Sequence, residues 1–343
     1  MPDTVLVTGG TGYVAGWCIV SLLERGYDVR TTVRNLDRSA GVRAAIEHET
    51  SVGNSLSFVT ADLGSDDGWD DAAAGCAYVL HVASPMSSSR DEQSVVGPAV
   101  EGVERVLRAA RDAGARRVVY TSTCGAIYYG HPERAEPFDE RDWTNVDAGG
   151  MSTYVKSKAL AERAAWDFVE RDGGSLEFTT VNPTGIFGPA LSLESASSLR
   201  LIDRLLSGKP PICPDLWFSV VDVRDVADLH LRAMTDSAAA GERFIANSGP
   251  PISMLDIART LRDELGDQAS KVPTRKAPDW LVRFAGRFNN ELGSLVPLLG
   301  HRRNASAAKS QRVLGWVSRP WQATVLDSAR SLAALHRADG GSA

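Results

Sequence analysis

Short apolar runs alternate with longer amphipathic segments through the first half of the chain. These runs lie at residues 5–7, 29–33, 56–59, 78–82, 118–120 and 178–181. Strands that are buried on both faces and separated by helical segments are typical of βαβ units, in which the strands run parallel. The pattern therefore predicts an α/β fold with a doubly wound, right-handed parallel sheet of the Rossmann type.

Two of the intervening segments have clear helical stops. Residues 15–25 end before Gly26, and residues 95–113 end before Gly114. Glycine readily adopts the left-handed conformation that ends many helices. Both segments are predicted to be helices that connect parallel strands.

The pattern changes after Pro183. A helix and a proline-rich turn within residues 188–216 indicate an excursion into a second lobe. Residues 218–227 read as a short strand and an aspartate-capped helix start that return to the sheet. We predict a larger domain of residues 1–187 and 217–249, a smaller, mostly helical lobe of residues 188–216 and 250–338, and a flexible tail at 339–343.

Composition and charge narrow the class of protein. The chain has 343 residues, of which 43% are apolar and 23% charged, as is ordinary for a globular protein. Its net charge of −6 argues against a nucleic-acid partner and favours a small-molecule substrate.

The cysteines and the absence of targeting signals bear on location. Cys18, Cys76, Cys124 and Cys213 are far apart and form no C-x-x-C, so neither a metal site nor a disulfide framework is expected. The N-terminus lacks a signal-peptide pattern, and no apolar run is long enough to cross a bilayer. We expect a cytoplasmic protein with no membrane partner, present as a monomer or homodimer.

A glycine-rich turn follows the first predicted strand. Gly9, Gly12 and Ala15 lie three residues apart, and Gly10, Gly12 and Ala15 also fit the pattern G-x-G-x-x-G/A. A diphosphate needs backbone N–H groups at a helix N-terminus and no side chains in its way. A strand, this turn and an apolar helix in that order predict a dinucleotide site.

The tip of the second strand indicates which dinucleotide binds. An acid there binds the ribose 2′-hydroxyl of NAD, whereas an arginine accommodates a 2′-phosphate. The strand ends at Arg34 without an acid, so Arg34, with Arg38 as a second contact, predicts NADP(H), while Asp37 nearby weighs against it. Asp62 and Leu63, after the third strand, are expected at the adenine, although an aspartate there is also a common turn cap.

Tyr154 and Lys158 lie four residues apart on a predicted helix, so their side chains share a face. Reduction of a carbonyl needs a proton for the oxygen as hydride reaches the carbon, and an ordinary tyrosine is a slow proton donor at neutral pH. The lysine is expected to lower the pKa of the tyrosine and to hold the nicotinamide ribose. A hydroxyl from the end of the fifth strand would orient the carbonyl.

Together these motifs resemble the extended branch of the short-chain dehydrogenase/reductase superfamily, most closely its dihydroflavonol reductase, cinnamoyl-CoA reductase and aldehyde reductase group. The likeness covers nearly the whole chain and rests on TGGTGYVAGW, LLERGYDVRTTVR, ADL, VLHVASPM, VVYTSTCGAI, YVKSKALAERAAW, FSVVDVRDVADLHLRAM and LGW. It implies Tyr154 as acid/base, Lys158 as its partner and the Thr123 hydroxyl as the third catalytic member. It also implies cofactor contacts from Gly9, Gly12, Tyr13, Val14, Val82, Ala83, Ser84, Tyr154, Lys158 and Pro183.

The chain departs from the family pattern in two places. Thr123 stands where the family usually has serine, directly after Ser122, so which of the two hydroxyls binds the carbonyl is open. Ala15 replaces the third glycine of the turn, which leaves less room near the diphosphate.

Other features have structural interpretations or depend on topology alone. His81, Trp17 and Trp166 are expected to be packing residues, and no His, Asp or Glu cluster has metal-ligand spacing. The apolar content suggests a hydrophobic aldehyde or ketone as substrate. Four segments are expected to line its cleft: residues 85–90, 128–131, 191–206 and 213–217.

The expected function is NADPH-dependent reduction of aldehydes or ketones to alcohols, with Tyr154 as proton donor. One alternative is an epimerase of nucleotide sugars that keeps NAD bound, and another is a hydroxysteroid-type dehydrogenase that prefers NAD. A third is a regulator that binds a dinucleotide without catalysis. The intact tyrosine and lysine weigh against the regulator, and the absence of an acid at position 34 weighs against the epimerase.

Overall fold

The computed structural model describes residues 2–85, 91–132 and 134–340. The chain divides into two compact units. The larger comprises Met1–Thr184, Val223–Ala246 and Ser306–Val317, and the smaller comprises Gly185–Asp222, Asn247–Ala305 and Ser318–Ala343. These bounds differ from the predicted ones mainly at 306–317, which lie in the larger unit because the buried Trp316 donates its indole N–H to the carbonyl of Asp225, 2.8 Å away.

The described part of the larger unit contains a parallel sheet of seven strands. Each of the six predicted apolar runs forms a strand, and the doubly wound fold is confirmed. The strands are β1 (Thr4–Val7), β2 (Asp28–Val33), β3 (Leu56–Thr60), β4 (Tyr78–His81), β5 (Arg117–Thr121), β6 (Glu177–Pro183) and β10 (Arg243–Ala246), numbered along the whole chain. Their spatial order is β3-β2-β1-β4-β5-β6-β10, and every neighbouring pair is parallel.

Helices cover this sheet and connect its strands. They are α1 (Tyr13–Glu24), α2 (Ser39–Glu47), α3 (Trp69–Ala73), α4 (Gln93–Asp112), α5 (Thr153–Asp172), α7 (Val223–Thr235) and α11 (Ala308–Leu314). The predicted helices correspond to α1 and α4, each of which starts two residues earlier than expected. Gly26 and Gly114 have φ values of 79° and 71°, as their predicted role requires. Helices α4 and α5 pack side by side, as do α1 and α7.

The smaller unit combines short strand pairs with helices. Strand β7 (Gly185–Phe187) pairs in parallel with β9 (Val220–Asp222), and β8 (Trp217–Phe218) pairs antiparallel with β11 (Ile252–Ser253). The prediction that the strand within 218–227 rejoins the main sheet is therefore wrong, since β9 bonds to β7 instead. The helices are α6 (Arg200–Leu206), α8 (Met254–Leu265), α9 (Asp279–Ala285), α10 (Asn290–Leu295) and α12 (Trp321–Gly340).

The C-terminal end differs from the predicted flexible tail. Helix α12 continues through Gly340, so Asp339 and Gly340 are helical, while residues 341–343 lie outside the described ranges. None of the helices in the described ranges combines the length and apolar character needed to span a bilayer.

Candidate active site

The glycine turn between β1 and α1 has little room for side chains. Gly9 has a φ of 75°, in the left-handed region, and a Cβ there would lie 3.0 Å from the Cβ of Ala83. A Cβ on Gly10 would lie 2.5 Å from Oγ1 of Thr31 on β2. Gly12 precedes α1 without a side-chain cap, and the first turn of the helix carries no acid. The turn thus offers the uncapped N-terminus of a twelve-residue helix to an anion.

A threonine and a histidine tie this turn to the end of β4. Oγ1 of Thr8 accepts hydrogen bonds from the backbone N–H groups of Val82 and Ala83, at 3.0 and 2.9 Å. Its own proton is therefore donated to Nδ1 of His81, 2.9 Å away, which places the imidazole proton on Nε2. Burial, with a smaller effect from the nearby Lys158, lowers the pKa of His81 to about 3. His81 has the expected structural role.

The tip of β2 presents an exposed arginine. Arg34 is exposed and makes no side-chain hydrogen bond or ion pair with the described residues. The nearby carboxylate of Asp37 accepts from the Asn35 side chain at 3.0 Å, and the Asp37 backbone N–H donates to Asn35 at 2.9 Å. Arg38 is also exposed. Asp37, the acid whose charge disfavours a 2′-phosphate, is thus hydrogen-bonded to Asn35 through both its carboxylate and its backbone N–H.

Asp62 and Leu63 follow β3 as predicted. Asp62 is exposed and accepts from the backbone N–H of Gly64 at 2.8 Å, so it forms the turn cap considered above. Leu63 is 9% exposed and belongs to the apolar core between the sheet and α4. Val82, Ala83 and Ser84 are partly exposed at the end of β4.

Helix α5 carries the tyrosine and lysine on successive turns near its start. Ser152 caps the helix by accepting from the N–H of Val155 at 3.3 Å. Tyr154 is 45% exposed as a residue, whereas Lys158 is only 5% exposed. The Lys158 ammonium lies 5.8 Å from the ring centroid of Tyr120 on β5 and makes no hydrogen bond or ion pair with the described residues.

The titration of this pair differs from the sequence expectation. Burial raises the pKa of Tyr154, and no lowering by Lys158 accompanies it. Burial also lowers the pKa of Lys158, to about 8, although the negative charge of Glu162 opposes that decrease. The spacing of the two residues was read correctly, but it could not show how deeply the ammonium is buried.

The two hydroxyls after β5 have different surroundings. Ser122 is 3% exposed and donates its proton to Oε2 of the buried Glu162. Oγ1 of Thr123 accepts from the backbone N–H of Gly125 at 3.0 Å, and the Thr123 side chain is partly exposed. The hydroxyl proton of Thr123 has no acceptor among the described residues.

A buried polar cluster behind Ser122 was not foreseen. Its centre is the Glu162 carboxylate, which is fully buried and accepts from Arg243 Nε at 2.7 Å and from Asn182 Nδ2 at 2.8 Å. Thr180 Oγ1 lies 3.3 Å from the same carboxylate and donates its proton to Oδ1 of Asn182 at 2.9 Å. The sequence did contain one indication that Glu162 lies near the pair: Tyr154, Lys158 and Glu162 are spaced four residues apart, which places their side chains on one face of the helix.

The remaining predicted positions are divided between the two units. Pro183 ends β6 and is buried, and residues 128–131 follow β5 in the larger unit, whereas 191–206 and 213–217 belong to the smaller unit. Of the segment 85–90, only Pro85 is described. Trp17 is 7% exposed in the core, and Trp166 packs edge-on against Phe178. No group of three or more His, Cys, Asp or Glu residues suited to a metal ion occurs in the described ranges.

Several known proteins are similar to this chain over most of their length. The model of the NAD dependent epimerase/dehydratase family matches residues 5–247. Dihydroflavonol 4-reductase from Zea mays is 34% identical over 304 residues, which cover 84% of this chain and 83% of that protein. Cinnamoyl-CoA reductase 1 from Arabidopsis thaliana is 35% identical over 249 residues, which cover 71% and 70%.

A solved structure matches nearly all of the chain. Gre2 from Candida albicans in complex with NADPH aligns with a TM-score of 0.80 at 25% identity, covering 98% of this chain and 100% of that one.

Proposed function

Because the chain belongs to the NAD dependent epimerase/dehydratase family, within the extended short-chain dehydrogenases and reductases, we propose that it is an NADPH-dependent reductase of aldehydes or ketones. Relatives named as reductases and the NADPH complex of Gre2 support this activity and this cofactor. The observation that carries the proposal is the arrangement on α5 and β5. An exposed tyrosine, a buried lysine one turn on and a threonine with an uncommitted hydroxyl proton belong to one compact unit with the glycine turn.

The residues present fit a phosphorylated dinucleotide. The glycine turn leaves the N-terminus of α1 uncapped and without acids, which suits a diphosphate. At the tip of β2, Arg34, which has no partner among the described residues, suits a 2′-phosphate, and Asp37 nearby is hydrogen-bonded to Asn35 and not to Arg34. We assign Gly9, Gly12, Tyr13 and Val14 to the diphosphate, and Arg34 and Arg38 to the 2′-phosphate. Asp62, Leu63, Val82, Ala83, Ser84 and Pro183 are proposed as further contacts.

When bound, the cofactor supplies hydride to the carbonyl carbon. Tyr154 holds the proton that the carbonyl oxygen receives, and a substrate can approach this residue because it is 45% exposed. Lys158 lies one turn away; it does not lower the pKa of Tyr154 in the protein without cofactor, and we assign its ammonium to the nicotinamide ribose and to the negative charge that forms as the proton leaves. Thr123 is the hydroxyl we assign to orient the carbonyl, because its proton is uncommitted while that of Ser122 is held by Glu162.

The test is turnover by the purified protein on a panel of aromatic and aliphatic aldehydes, ketones and ketoesters. Oxidation of NADPH, faster than that of NADH, is the expected result. Chromatography of any co-purified nucleotide separates the nearest rival, since an epimerase would retain NAD. Absence of turnover on the whole panel, with NAD retained, would contradict the proposed reductase function.

A further inference from the structure

A buried carboxylate one turn beyond Lys158 has no part in the function proposed so far. Glu162 is fully buried, and three side chains, from β6, from β10 and from the segment after β5, donate hydrogen bonds to it. We propose that Glu162 is a positioning residue for the reduction: clamped by Ser122, Asn182 and Arg243, its carboxylate keeps the buried ammonium of Lys158 charged. This inference rests on the proposed function for its catalytic consequence.

The clamp fixes both carboxylate oxygens. Oε2 accepts from the Ser122 hydroxyl and from Asn182 Nδ2, while Oε1 accepts from Arg243 Nε. Thr180 donates its hydroxyl proton to Oδ1 of Asn182 at 2.9 Å and so supports that partner. These partners lie on β6, on β10 and just after β5, so the carboxylate is held from several directions. A charge held in this way is stable in the interior because its hydrogen-bonding capacity is satisfied.

The clamp is itself anchored. Arg243 donates from Nη1 to the backbone carbonyls of Glu140 and Asp142, at 2.7 and 2.8 Å, and its guanidinium lies 3.8 Å from the ring centroid of Trp143. Asn182 also donates to the backbone carbonyl of Thr123 at 3.3 Å. One network therefore joins the backbone of the threonine assigned to the carbonyl and the carboxylate next to Lys158.

Lys158 depends on this carboxylate because the other titratable groups that the structure describes around it supply no negative charge. His81 on β4 and Cys124 after β5 are neutral, since burial lowers the pKa of the first and raises that of the second. Burial likewise keeps the phenols of Tyr120 and Tyr154 protonated by raising their pKa values. Among the described residues, Glu162 is the one anion that raises the pKa of Lys158, and Arg243 on β10 is already paired with it.

The charged residues of helix α4, which packs along α5, pair with residues other than Lys158. Arg105 pairs with Asp66 and Glu101, Arg111 with Asp112, and Glu92 before the helix with Lys156. Glu104 and Arg108 act on Arg171 and Asp112. Because these charges are engaged with one another, we assign the carboxylate of Glu162 as the negative charge that compensates the ammonium of Lys158.

The direct test is titration of Lys158 without substrate or cofactor. The chain has six lysines, so ¹³C-labelled lysine gives few NMR signals, and Lys158→Arg identifies the one that matters. The wild-type midpoint is expected at about 8. In Glu162→Gln it should fall by about one pH unit or more, because burial then acts without the compensating charge.

A matched control removes another carboxylate that pairs with a buried arginine. Glu177, at the start of β6, accepts from Nε and Nη2 of Arg117 at 2.9 and 2.7 Å. Glu177→Gln should leave the Lys158 midpoint unchanged. If Glu162→Gln does not fold because Arg243 loses its partner, Glu162→Gln/Arg243→Gln removes both charges and should lower the midpoint in the same direction.

Activity then links the carboxylate to the reaction. In the intact enzyme with NADPH, the basic limb of kcat/KM against pH should move to lower pH in Glu162→Gln together with the midpoint, and not in Glu177→Gln. An unchanged midpoint, or an unchanged basic limb in an active variant, overturns the proposal. A wild-type protein without turnover would instead refute the reductase, and the titration would still decide whether Glu162 keeps Lys158 charged.

Discussion

Ser122 donates its hydroxyl proton to the carboxylate of Glu162, forty residues further along the chain. Both side chains are buried. Because that proton is committed, the two consecutive hydroxyls after β5 are not equivalent: Ser122 faces the interior cluster, and Thr123 keeps a proton to donate.

This difference predicts opposite outcomes for the two hydroxyls. Thr123→Val should lower kcat/KM by about 100-fold, since it removes a donor to the carbonyl oxygen, whereas Thr123→Ser should retain activity. Ser122→Ala should lower the free energy of unfolding by about 1.5–3 kcal/mol, through loss of a bond to a charged group, with a smaller loss of activity than Thr123→Val. Steady-state kinetics and urea unfolding measure the two effects. A greater loss of activity in Ser122→Ala than in Thr123→Val would reverse the assignment.

The proton-donor role of Tyr154 has its own test. Tyr154→Phe should reduce kcat by about 10²–10⁴-fold, the usual contribution of a positioned acid, while NADPH binding measured by fluorescence stays the same. Tyr27→Phe is the control, because Tyr27 precedes β2 in the same unit and is assigned no part in the reaction. Full activity in Tyr154→Phe would exclude this residue as the donor.

Arg34 is expected to set the preference for a phosphorylated cofactor. Arg34→Ala should raise the Kd of NADPH by about 10–100-fold, the equivalent of one charge-assisted hydrogen bond, and leave that of NADH unchanged. Calorimetry on both cofactors measures the ratio. Arg141→Ala removes an arginine side chain that is 91% exposed in another loop, and should have no effect. An unchanged ratio in Arg34→Ala would refute the assignment.

Two buried histidines should make the fold sensitive to acid. Burial lowers the pKa of His81 to about 3 and that of His230 to about 4, while each titrates near 6.5 when unfolded. The unfolded chain therefore binds more protons as pH falls below 6.5, and each histidine should remove up to about 1.4 kcal/mol of stability per pH unit until its folded pKa is reached.

Urea unfolding at pH 7, 6 and 5 measures this slope. His230 is held at both nitrogens, by Thr121 Oγ1 and the Val226 carbonyl, each at 2.7 Å. His230→Gln should be less stable at pH 7 but should lose less stability between pH 7 and 5 than the wild type. His336→Gln, at a side chain that is 56% exposed, should show the wild-type slope. Equal slopes in all three proteins would contradict the prediction.

Local patterns predicted much of the fold and part of the site. Six apolar runs became the first six strands, and the glycine turn and the Tyr154–Lys158 spacing lie where periodicity placed them. Strand β10 was missed although it is as long as β1 and β4, because it begins with a charged residue, Arg243, whose burial depends on the distant Glu162. The prediction that residues 218–227 return to the main sheet was wrong. Strand pairing depends on which strand edge is available, and β9 pairs with the edge of β7.

The buried cluster was beyond sequence reasoning for a different reason. Arg243 and Glu162 are 81 residues apart, and the sequence around either residue gives no indication that the two form an ion pair. Their pairing follows from the position of β10 beside β6, which places the arginine next to α5. Burial of Lys158, which sets its pKa, is likewise a property of the packed molecule.

The ion pair between Glu162 and Arg243 also sets an order for assembly during protein synthesis. Helix α5 leaves the ribosome with its carboxylate 81 residues ahead of the guanidinium that will neutralise it. Until β10 joins the sheet, burying the ionised Glu162 leaves its charge without Arg243, so the final packing of this helix is disfavoured. The catalytic helix is therefore completed by one of the last strands of its sheet to be translated, and a nascent chain that stops short of β10 holds every proposed catalytic residue without a finished site.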